Sequence, residues 1–555
     1  MNGDAQNTRR SFMSSQPPAP ASNRHQDILG ALQAQDVARA VALACAALAD
    51  GDERALYLNL RAYEHERAGR DALALADLKR AHALDPDDMQ ALNALGLAYA
   101  RDSQFEKARA AFSLVAARLP EFAPAHFNKG WASEELGELD DARESWKRAH
   151  AVDPANPEPL ARLALLAARV GANDEARTWA AGALALMPAH PGARLAVAKA
   201  EAQEGNLAAA GEAARALAHD PRTPPFERTE ALGVLGDVLD AQNRTAEAFA
   251  AWQARNAAIQ AQNTARYARP PGETMPEYLY RLIGYFERTD PWSPSPPAES
   301  EPCARHVFLL GFPRSGTTLL EEALARHCDV VTTQERATLT DIIPLLMRTN
   351  ADLDRLAHLG GGDAEHYREL YWQRLRGHGL DPVGKTVIDK QPYNTVNLPL
   401  ISRLFPGAKI VFSLRDPRDV VFSCFRRRFR MNASNYELLT LESAAALYDS
   451  TMRLAMLYRA KLPLKFIDVR HESLTADFAR EMERIAGFIG LSHDDVLLEF
   501  APRQGARAVV TPTAAQLGQG LRSDTGGHWR RYRQELAPVL PQLQPWVNHF
   551  GYSDI

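Results

Sequence analysis

The sequence predicts two architectures in one chain of 555 residues: an α-solenoid in the first half and an α/β domain with a parallel sheet in the second. In the first half, prolines recur at intervals of 34 residues, at Pro86, Pro120, Pro154 and Pro188. A proline-rich stretch then interrupts the helical pattern. After it, short apolar runs alternate with helical segments, which is the pattern of an α/β domain.

The composition narrows the possible functions. The chain is 24% charged and 46% hydrophobic, and 64 Lys and Arg residues face 69 Asp and Glu residues, for a net charge of −5. These values exclude a largely disordered or collagen-like chain and argue against a general binder of nucleic acid. The four cysteines are far apart and form no CxxC pair, which argues against a disulfide framework or a structural zinc site and favours a reducing compartment.

Targeting and membrane signals are weak. Residues 1–22 are polar and lack the apolar segment of a signal peptide, so we expect a disordered arm. No apolar run reaches about 18 residues, which predicts that the chain has no membrane span. We therefore expect a cytoplasmic protein.

The first half consists of repeats. In the clearest copy, residues 89–122, Gly96 and Ala108 let two helices approach closely, Phe112 fills the space between them and Pro120 ends the second helix. The period and these positions resemble the tetratricopeptide repeat (TPR) family, with five good copies and one or two poor ones over residues 23–262. The resemblance implies a concave superhelix that binds peptides or proteins, whereas a rigid spacer or a dimerisation surface fits the same pattern. The oligomeric state stays open.

A break in composition marks the boundary between the halves. Residues 263–304 are predicted to contain one more helix, over 278–288, and a proline-rich linker. We place the second domain at residues 305–555.

The second domain begins with a strand, a tight loop and a helix. A strand over residues 306–310 precedes the loop 311–318, and this arrangement presents backbone N–H groups and a helix N-terminus to a phosphate. The loop matches the Walker A spacing, except that Thr317 occupies the position of the lysine that contacts a nucleoside triphosphate. This P-loop-like pattern therefore argues against a nucleotide kinase. Arg314 supplies a positive charge inside the loop.

Residues 313–318 resemble the 5′-phosphosulfate loop of sulfotransferases that use 3′-phosphoadenosine 5′-phosphosulfate (PAPS). The resemblance implies that the donor's 5′ end is bound by the loop residues Arg314, Ser315, Gly316, Thr317 and Thr318. About 100 residues on, a predicted strand over 408–414 precedes the family's second motif. The resemblance implies that Arg415 and Ser423 of that motif hold the 3′-phosphate. The two motifs in this order make the resemblance specific.

The protein-tyrosine sulfotransferases resemble this sequence more closely than the cytosolic small-molecule sulfotransferases do, and this resemblance implies the catalytic residues. Their glutamate base maps 21 residues beyond Arg314, on Glu335, and their transition-state lysine maps on Lys390. By itself, Glu335 would be interpreted as a surface carboxylate and Lys390 as the partner of Asp389. No metal is expected.

Three further positions match the family more loosely. His471 stands where many relatives have a tyrosine that contacts the nucleotide. Thr513 and His528 stand where the tyrosine enzymes have a serine and a lysine that contact the donor. The basic run 426–430 has three open interpretations: a solvated face, a nucleotide contact or a contact for an acidic acceptor.

These observations together predict a PAPS-dependent sulfotransferase with an N-terminal TPR array. The acceptor is a hydroxyl, and a peptide tyrosine presented by the TPR groove is one candidate. A carbohydrate or small-molecule sulfotransferase keeps the same donor motifs. A TPR scaffold with a donor-binding but inactive domain is the third alternative.

Overall fold

The computed structural model describes residues 21–270, 272–295, 301–492, 495–498 and 526–552. Thr513 and most of the predicted arm over 1–22 lie outside the described residues. The chain divides into two compact units. The first runs to Leu166 and includes Trp179–His190, and the second comprises Ala167–Thr178 and the chain from Pro191 onwards.

Helices of 12 to 14 residues, joined by short turns, precede Pro191 in the described part of the chain. They are α1 (Ala21–Gln33), α2 (Val37–Ala49), α3 (Ala55–Arg67), α4 (Asp71–Leu84), α5 (Met89–Arg101), α6 (Phe105–Arg118), α7 (Ala123–Leu136), α8 (Leu139–Val152), α9 (Glu158–Arg169) and α10 (Asn173–Leu186). The predicted helix pairs with a period of 34 residues are therefore present.

Glycines allow the paired helices to approach closely. A Cβ atom at Gly96 would lie 2.6 Å from the Phe112 ring, and one at Gly130 would lie 2.6 Å from Nε1 of Trp146. Phe112 and Trp146 are both completely buried. The pairs α5–α6 and α7–α8 thus each pack an aromatic side chain onto the backbone of a glycine, because a larger residue there would overlap the ring.

The second unit continues the helical pattern and then changes. Its first helices are α11 (Pro191–Gln203), α12 (Leu207–His219), α13 (Pro225–Ala241), α14 (Thr245–Tyr267) and α15 (Met275–Arg288). Trp252 on α14 packs onto Gly236 on α13 in the same way as Trp146 packs onto Gly130. With 23 residues, α14 is longer than the other repeat helices described, and its second half carries Ile259, which packs against Tyr436 and Leu439.

A parallel sheet of five strands forms the centre of the second unit. The strands are β1 (Arg305–Gly311), β2 (Val330–Thr332), β3 (Thr386–Lys390), β4 (Lys409–Leu414) and β5 (Lys465–Arg470), in the spatial order β2-β3-β1-β4-β5. Because all strand pairs are parallel, their carboxyl ends meet at one edge. After β1 the chain continues to strands on one side of β1, namely β2 and β3. From β4 it continues to β5 on the other side. The direction in which strands are added therefore reverses between β1 and β4. Ligands of open α/β sheets bind at such a point.

Helices cover both faces of the sheet. They are α16 (Thr317–Leu324), α17 (Ile343–Leu346), α18 (Asn350–Ala357), α19 (Gly361–Gly377), α20 (Leu398–Leu404), α21 (Pro417–Phe425), α22 (Ala433–Tyr436), α23 (Leu441–Lys461), α24 (His471–Ala476), α25 (Phe478–Ile489), α26 (Arg533–Leu536) and α27 (Leu540–His549). Val307 and Leu309 of β1 pack with α16 and α25 on one face. The alternate residues His306 and Phe308 pack with aromatic rings of α19, as the period of two in a strand requires. None of the described helices has both the length and the apolar character needed to cross a membrane.

Candidate active site

The loop after β1 is shaped by two glycines. Gly311 has φ +153° and Gly316 has φ +101°. A Cβ atom at Gly311 would lie 2.6 Å from the carbonyl oxygen of Ser413, and one at Gly316 would lie 2.7 Å from Nδ1 of His471. Arg314, between them, also has a left-handed backbone, with φ 72°. Such strain in a non-glycine residue is concentrated at functional sites.

Neighbouring strands fix the loop in place. Thr395, just after β3, accepts a hydrogen bond from the Gly311 N–H at 3.2 Å, and the hydroxyl of Ser413 on β4 donates to the Ser315 carbonyl at 2.8 Å. α16 then begins at Thr317, directly after Gly316. The Ser315 hydroxyl is buried and has no hydrogen-bond partner among the described residues. A buried polar atom of this kind fits a loop that binds a phosphate or sulfate oxygen.

The two predicted donor motifs are in contact. Nε of Arg314 donates to the Ser423 hydroxyl at 3.0 Å, and Nη1 of Arg415 donates to the carbonyl oxygen of Arg314 at 3.3 Å. Both arginines follow the strands that flank the reversal in strand order. Burial, together with the positive charges of nearby arginines, lowers the pKa of the Arg314 guanidinium to about 9. Two guanidinium groups thus lie close together at this point, an arrangement that suits a phosphate or sulfate group.

Asp416 does not serve as an ion-pair partner of Arg415. Its carboxylate accepts from the Arg418 N–H at 2.9 Å and pairs with the Arg418 guanidinium at 2.8 Å, where it forms the N-cap of α21. This cap begins the helix that carries Ser423.

Lys390 lies between two carboxylates. Its Nζ is 2.5 Å from Oε1 of Glu335 and 3.1 Å from Oε2 of Glu321. Lys390 and Glu321 are almost completely buried, whereas 37% of the Glu335 side chain is exposed. The Glu335 N–H donates to the Lys390 carbonyl at 3.1 Å, and Glu335 has a left-handed backbone with φ 64°. Asp389, the partner that the simpler interpretation assigned to Lys390, instead accepts from Thr338 and Tyr371.

The electrostatics of this group favour a permanently charged lysine. Burial alone would lower the pKa of Lys390, but the carboxylates of Glu321 and Glu335 outweigh it and raise that pKa above its ordinary value. Burial raises the pKa of the Glu321 carboxyl to about 7 against the attraction of Lys390. The arrangement can thus hold a cation beside a partly exposed carboxylate, Glu335, which solvent or a substrate can reach.

The two looser histidine positions differ. His471 is the first residue of α24, is buried and lies against Gly316. Burial lowers its pKa to about 3, helped by Arg415 and Arg314, so the imidazole beside the loop is neutral. His528 instead lies near the end of α21, where its ring is 3.0 Å from Nη1 of Arg426 and 3.2 Å from Oδ2 of Asp240. The donor contact predicted for His528 stays a prediction.

The basic run 426–428 pairs with acidic residues of α13. Arg426 lies 3.2 Å from Asp240, Arg427 lies 3.3 Å from Asp237, and Arg428 pairs with Glu230. This finding answers a question that the sequence left open: these three arginines contact carboxylates of their own chain.

Two residues that support the site, Glu321 and Arg255, were not predicted from the sequence. Glu321 holds Lys390, but in the sequence it reads as one of two glutamates on a helix. Arg255 of α14 is 3% exposed, and its guanidinium donates to the carbonyl oxygens of Phe425 at 2.9 Å and Arg426 at 3.1 Å. The sequence does contain an indication that Arg255 is buried. It lies three residues after Trp252, and the residue three after the equivalent Trp146 is Ala149, which is buried.

Comparison with known families agrees with this description. The model of the "Sulfotransferase family" matches residues 306–495, and the model of the "Tetratricopeptide repeat" matches residues 123–156. The chain thus joins a segment that matches the tetratricopeptide repeat to a C-terminal domain that matches the sulfotransferase family.

Individual relatives are about a quarter identical to the chain over the aligned residues. An uncharacterized protein of Aquifex aeolicus (strain VF5) is 25% identical over 44% of this chain and 33% of its own length. A putative protein-tyrosine sulfotransferase of Caenorhabditis briggsae is 23% identical over 44% of this chain and 89% of its own length. Protein-tyrosine sulfotransferase 2 of Gallus gallus is 24% identical over 44% of this chain and 63% of its own length. The alignment thus spans a third of the Aquifex protein.

Proposed function

We propose that the sheet domain binds PAPS and transfers its sulfuryl group to an acceptor hydroxyl. The observation that carries this proposal is the contact between the two motifs, in which Arg314 donates to Ser423 and Arg415 donates to Arg314. A nucleotide with a phosphosulfate at one end and a 3′-phosphate at the other requires two anion sites close together. Arginines suit both, because a guanidinium binds phosphate oxygens in a bidentate manner.

The residues divide into two binding groups in this proposal. The 5′-phosphosulfate is held by Arg314, by the Ser315 hydroxyl, and by backbone N–H groups at Gly316, Thr317 and Thr318, where α16 begins. The 3′-phosphate is held by Arg415 and Ser423. His471 remains neutral beside the loop and can donate a hydrogen bond without adding charge.

The reaction is a substitution at sulfur. The acceptor oxygen forms a bond to sulfur while the bond from sulfur to the 5′-phosphate oxygen breaks, and adenosine 3′,5′-bisphosphate leaves. The Glu335 carboxylate takes the proton of the acceptor hydroxyl. Lys390, kept charged by Glu321 and Glu335, stabilises the negative charge that develops on the transferred group. Because Glu335 is partly exposed, an acceptor can reach it.

A peptide tyrosine is the acceptor that we propose first. Of the relatives described above, one is named a protein-tyrosine sulfotransferase and one a putative protein-tyrosine sulfotransferase. The resemblance to that family implies Glu335 and Lys390 as the base and the transition-state lysine. TPR helices are common peptide-binding elements, so we further propose that they present the acceptor peptide.

Labelled PAPS tests each level of this proposal. Donor binding is measured first, by equilibrium dialysis with the full chain. Transfer is then measured to tyrosine peptides, to sugars and to small hydroxyl compounds. We expect binding and transfer to a tyrosine peptide. Absence of donor binding would overturn the proposal. Transfer to sugars or small hydroxyl compounds alone would overturn the tyrosine assignment, and binding without any transfer would identify an inactive, donor-binding domain.

Glu335→Gln tests the base. We expect donor affinity to be retained and turnover to fall roughly 10²- to 10⁴-fold, the usual contribution of a general base. The control is Asp341→Asn, which removes an exposed carboxylate six residues away and should leave turnover unchanged. Full activity of the Glu335→Gln protein would exclude Glu335 as the base.

A further inference from the structure

A group of three potential metal ligands lies at the edge of the sheet opposite the loop after β1. Glu301, Cys303 and His306 are at or just before the start of β1, and their ligand atoms all lie within 4.8 Å of one another. The segment 301–304 is held against the residues before β3 by two backbone hydrogen bonds. The Ala304 N–H donates to the Lys385 carbonyl at 2.8 Å, and the Gly384 N–H donates to the Pro302 carbonyl at 3.0 Å.

The imidazole of His306 is held in one orientation. Its ring is 4% exposed and is enclosed by the rings of Phe308, Tyr371, Trp372 and Phe405. Its Nε2 lies 2.9 Å from the Tyr371 hydroxyl, and that hydroxyl donates its single proton to Oδ2 of Asp389 at 2.9 Å. The Tyr371 oxygen must therefore accept from His306, so the proton of the imidazole is on Nε2.

This tautomer leaves a lone pair on Nδ1 of His306. Nδ1 is buried and has no hydrogen-bond partner among the described residues. Buried polar atoms are almost always satisfied, and a bound ion is one explanation for an exception. Metal-binding histidines are oriented by a hydrogen bond from their second ring nitrogen to a polar group. The hydrogen bonds from His306 to Tyr371 and from Tyr371 to Asp389 provide such an orientation here.

We propose that Glu301, Cys303 and His306 bind a Zn²⁺ ion. Sγ of Cys303 and Oε2 of Glu301 are 3.8 Å apart, close to the roughly 3.5 Å between neighbouring ligands that Zn–S and Zn–O bonds of about 2.3 and 2.0 Å imply in a tetrahedral site. Thiolate, imidazole and carboxylate are all zinc ligands. Three protein ligands leave the fourth position to water.

The charges of the site balance when zinc is bound. The Cys303 thiol loses its proton to solvent as the zinc–sulfur bond forms, while Glu301 binds as a carboxylate and His306 as a neutral imidazole. Two negative ligands then neutralise the divalent ion, which suits a partly buried position. The sequence argument against zinc considered only pairs of cysteines, and this group uses one cysteine.

A second cluster, His327, Cys328 and Asp329, has a similar composition but different hydrogen bonds. Nε2 of His327 lies 3.0 Å from the Ser492 hydroxyl, and its Nδ1 lies 3.1 Å from the Asp329 N–H. Both nitrogens of His327 are thus engaged within the chain. This cluster therefore provides a matched control for the first.

Cobalt(II) reports directly on a thiolate ligand. The full chain, free of affinity tags, reduced and stripped of metal, is titrated with Co²⁺ and followed by absorption spectroscopy. We expect one equivalent to produce a thiolate-to-cobalt charge-transfer band with the visible bands of a tetrahedral site, and we expect Zn²⁺ to displace it. A wild-type protein without this band would overturn the proposal.

Variants assign the ligands. Cys303→Ser should abolish the charge-transfer band, whereas Cys328→Ser should retain it. Glu301→Gln, near the start of the segment, should weaken cobalt binding without affecting the fold, and Tyr371→Phe should weaken it about 10- to 100-fold while the band remains. Circular dichroism checks that each variant is folded. A band that persists in Cys303→Ser, or disappears in Cys328→Ser, would contradict the assignment.

Discussion

The helix pairs α7–α8 and α13–α14 are built on the same contact, a tryptophan packed onto a glycine, but they differ three residues further along. In α8 that position is Ala149, which is buried within its repeat. In α14 it is Arg255, whose guanidinium donates to two carbonyl oxygens at the end of α21. A cation at this position also interacts favourably with the negative end of the helix dipole.

The difference shows how a repeat becomes a support for an active site. Besides Gly236, Trp252 contacts the rings of Phe422 and Tyr532, and Asn256 donates to the Phe425 carbonyl at 2.9 Å. The neighbouring residue Ser423 belongs to the predicted donor site. The α13–α14 pair therefore fixes the helix on which one donor residue depends, whereas the contacts of Trp146 and Ala149 lie within the repeats.

The largest expected effect comes from Arg255→Met, which gives α14 an apolar residue similar to the one in α8. The Arg426 carbonyl loses the Arg255 donor and the Phe425 carbonyl keeps only Asn256. Each lost hydrogen bond from a charged donor costs roughly 1.5–3 kcal/mol. We expect a lower melting temperature and weaker binding of adenosine 3′,5′-bisphosphate, measured by calorimetry. Arg266→Met, an exposed arginine on the same helix, is the control. Unchanged nucleotide affinity and melting temperature in Arg255→Met would show that Arg255 does not support α21.

A matched pair of glycine substitutions should have a smaller effect. Gly130→Ala and Gly236→Ala each place a methyl group against a tryptophan ring, and such overpacking costs about 1–3 kcal/mol. We expect both to lower the melting temperature, but only Gly236→Ala to weaken nucleotide binding as well, because Trp252 also contacts Phe422. Equal nucleotide affinity in the two variants would mean that α21 does not depend on this contact.

The smallest expected effect is that of Asp240→Asn. Asp240 contacts Arg426, Arg531 and Tyr532. Burial would raise its pKa, but hydrogen bonds from His528 and Tyr532 and the charge of Arg426 lower it to about 2. The pKa of the folded state lies below the ordinary value, so the stabilisation is present above about pH 4 and is lost as the pH falls towards 2. Because solvent screens these charges, we expect Asp240→Asn to lower the free energy of unfolding by about 1 kcal/mol.

Thermal melts between pH 2 and pH 7 check this expectation. The difference between wild type and Asp240→Asn should be constant near neutral pH and should shrink in acid. Asp141→Asn in α8 is the counterpart, since Asp141 binds Lys129 and Ser133 within its own helix pair. It should alter stability without changing nucleotide affinity. A difference that grows in acid would contradict the ion pairing of Asp240.

The sequence alone was sufficient to predict the fold and the edge of the sheet at which the candidate site lies. A period of 34 residues is visible in the prolines, and a strand followed by a glycine-rich loop is a local pattern. Residues at or just after the carboxyl ends of β1, β3, β4 and β5 then lie at the same edge of the sheet, because parallel strands end at one edge. This geometry brings together Arg314, Lys390, Arg415 and His471, although they are far apart in the chain.

Pairings between distant elements could not be predicted in the same way. Glu321 on α16 meets Lys390 only after β3 has been placed beside β1, so the sequence shows an ordinary helical glutamate. The partners of Arg426, Arg427 and Arg428 are on α13, nearly 200 residues earlier in the chain. Arg255 could have been recognised as a charged residue at a buried repeat position, but its acceptors, two backbone carbonyls, have no signature in sequence.

The packing of α13 and α14 on α21 also determines where the chain can be shortened for expression. A protein limited to the matched residues 306–495 would separate Arg426, Arg427 and Arg428 from their carboxylates and would uncover the ring of Phe422. Such a fragment would attract polyanions such as nucleic acid and would tend to aggregate. Its inactivity would then reflect poor solubility rather than chemistry. A fragment that begins at Pro191 keeps these contacts and is the better choice for crystallisation and assay.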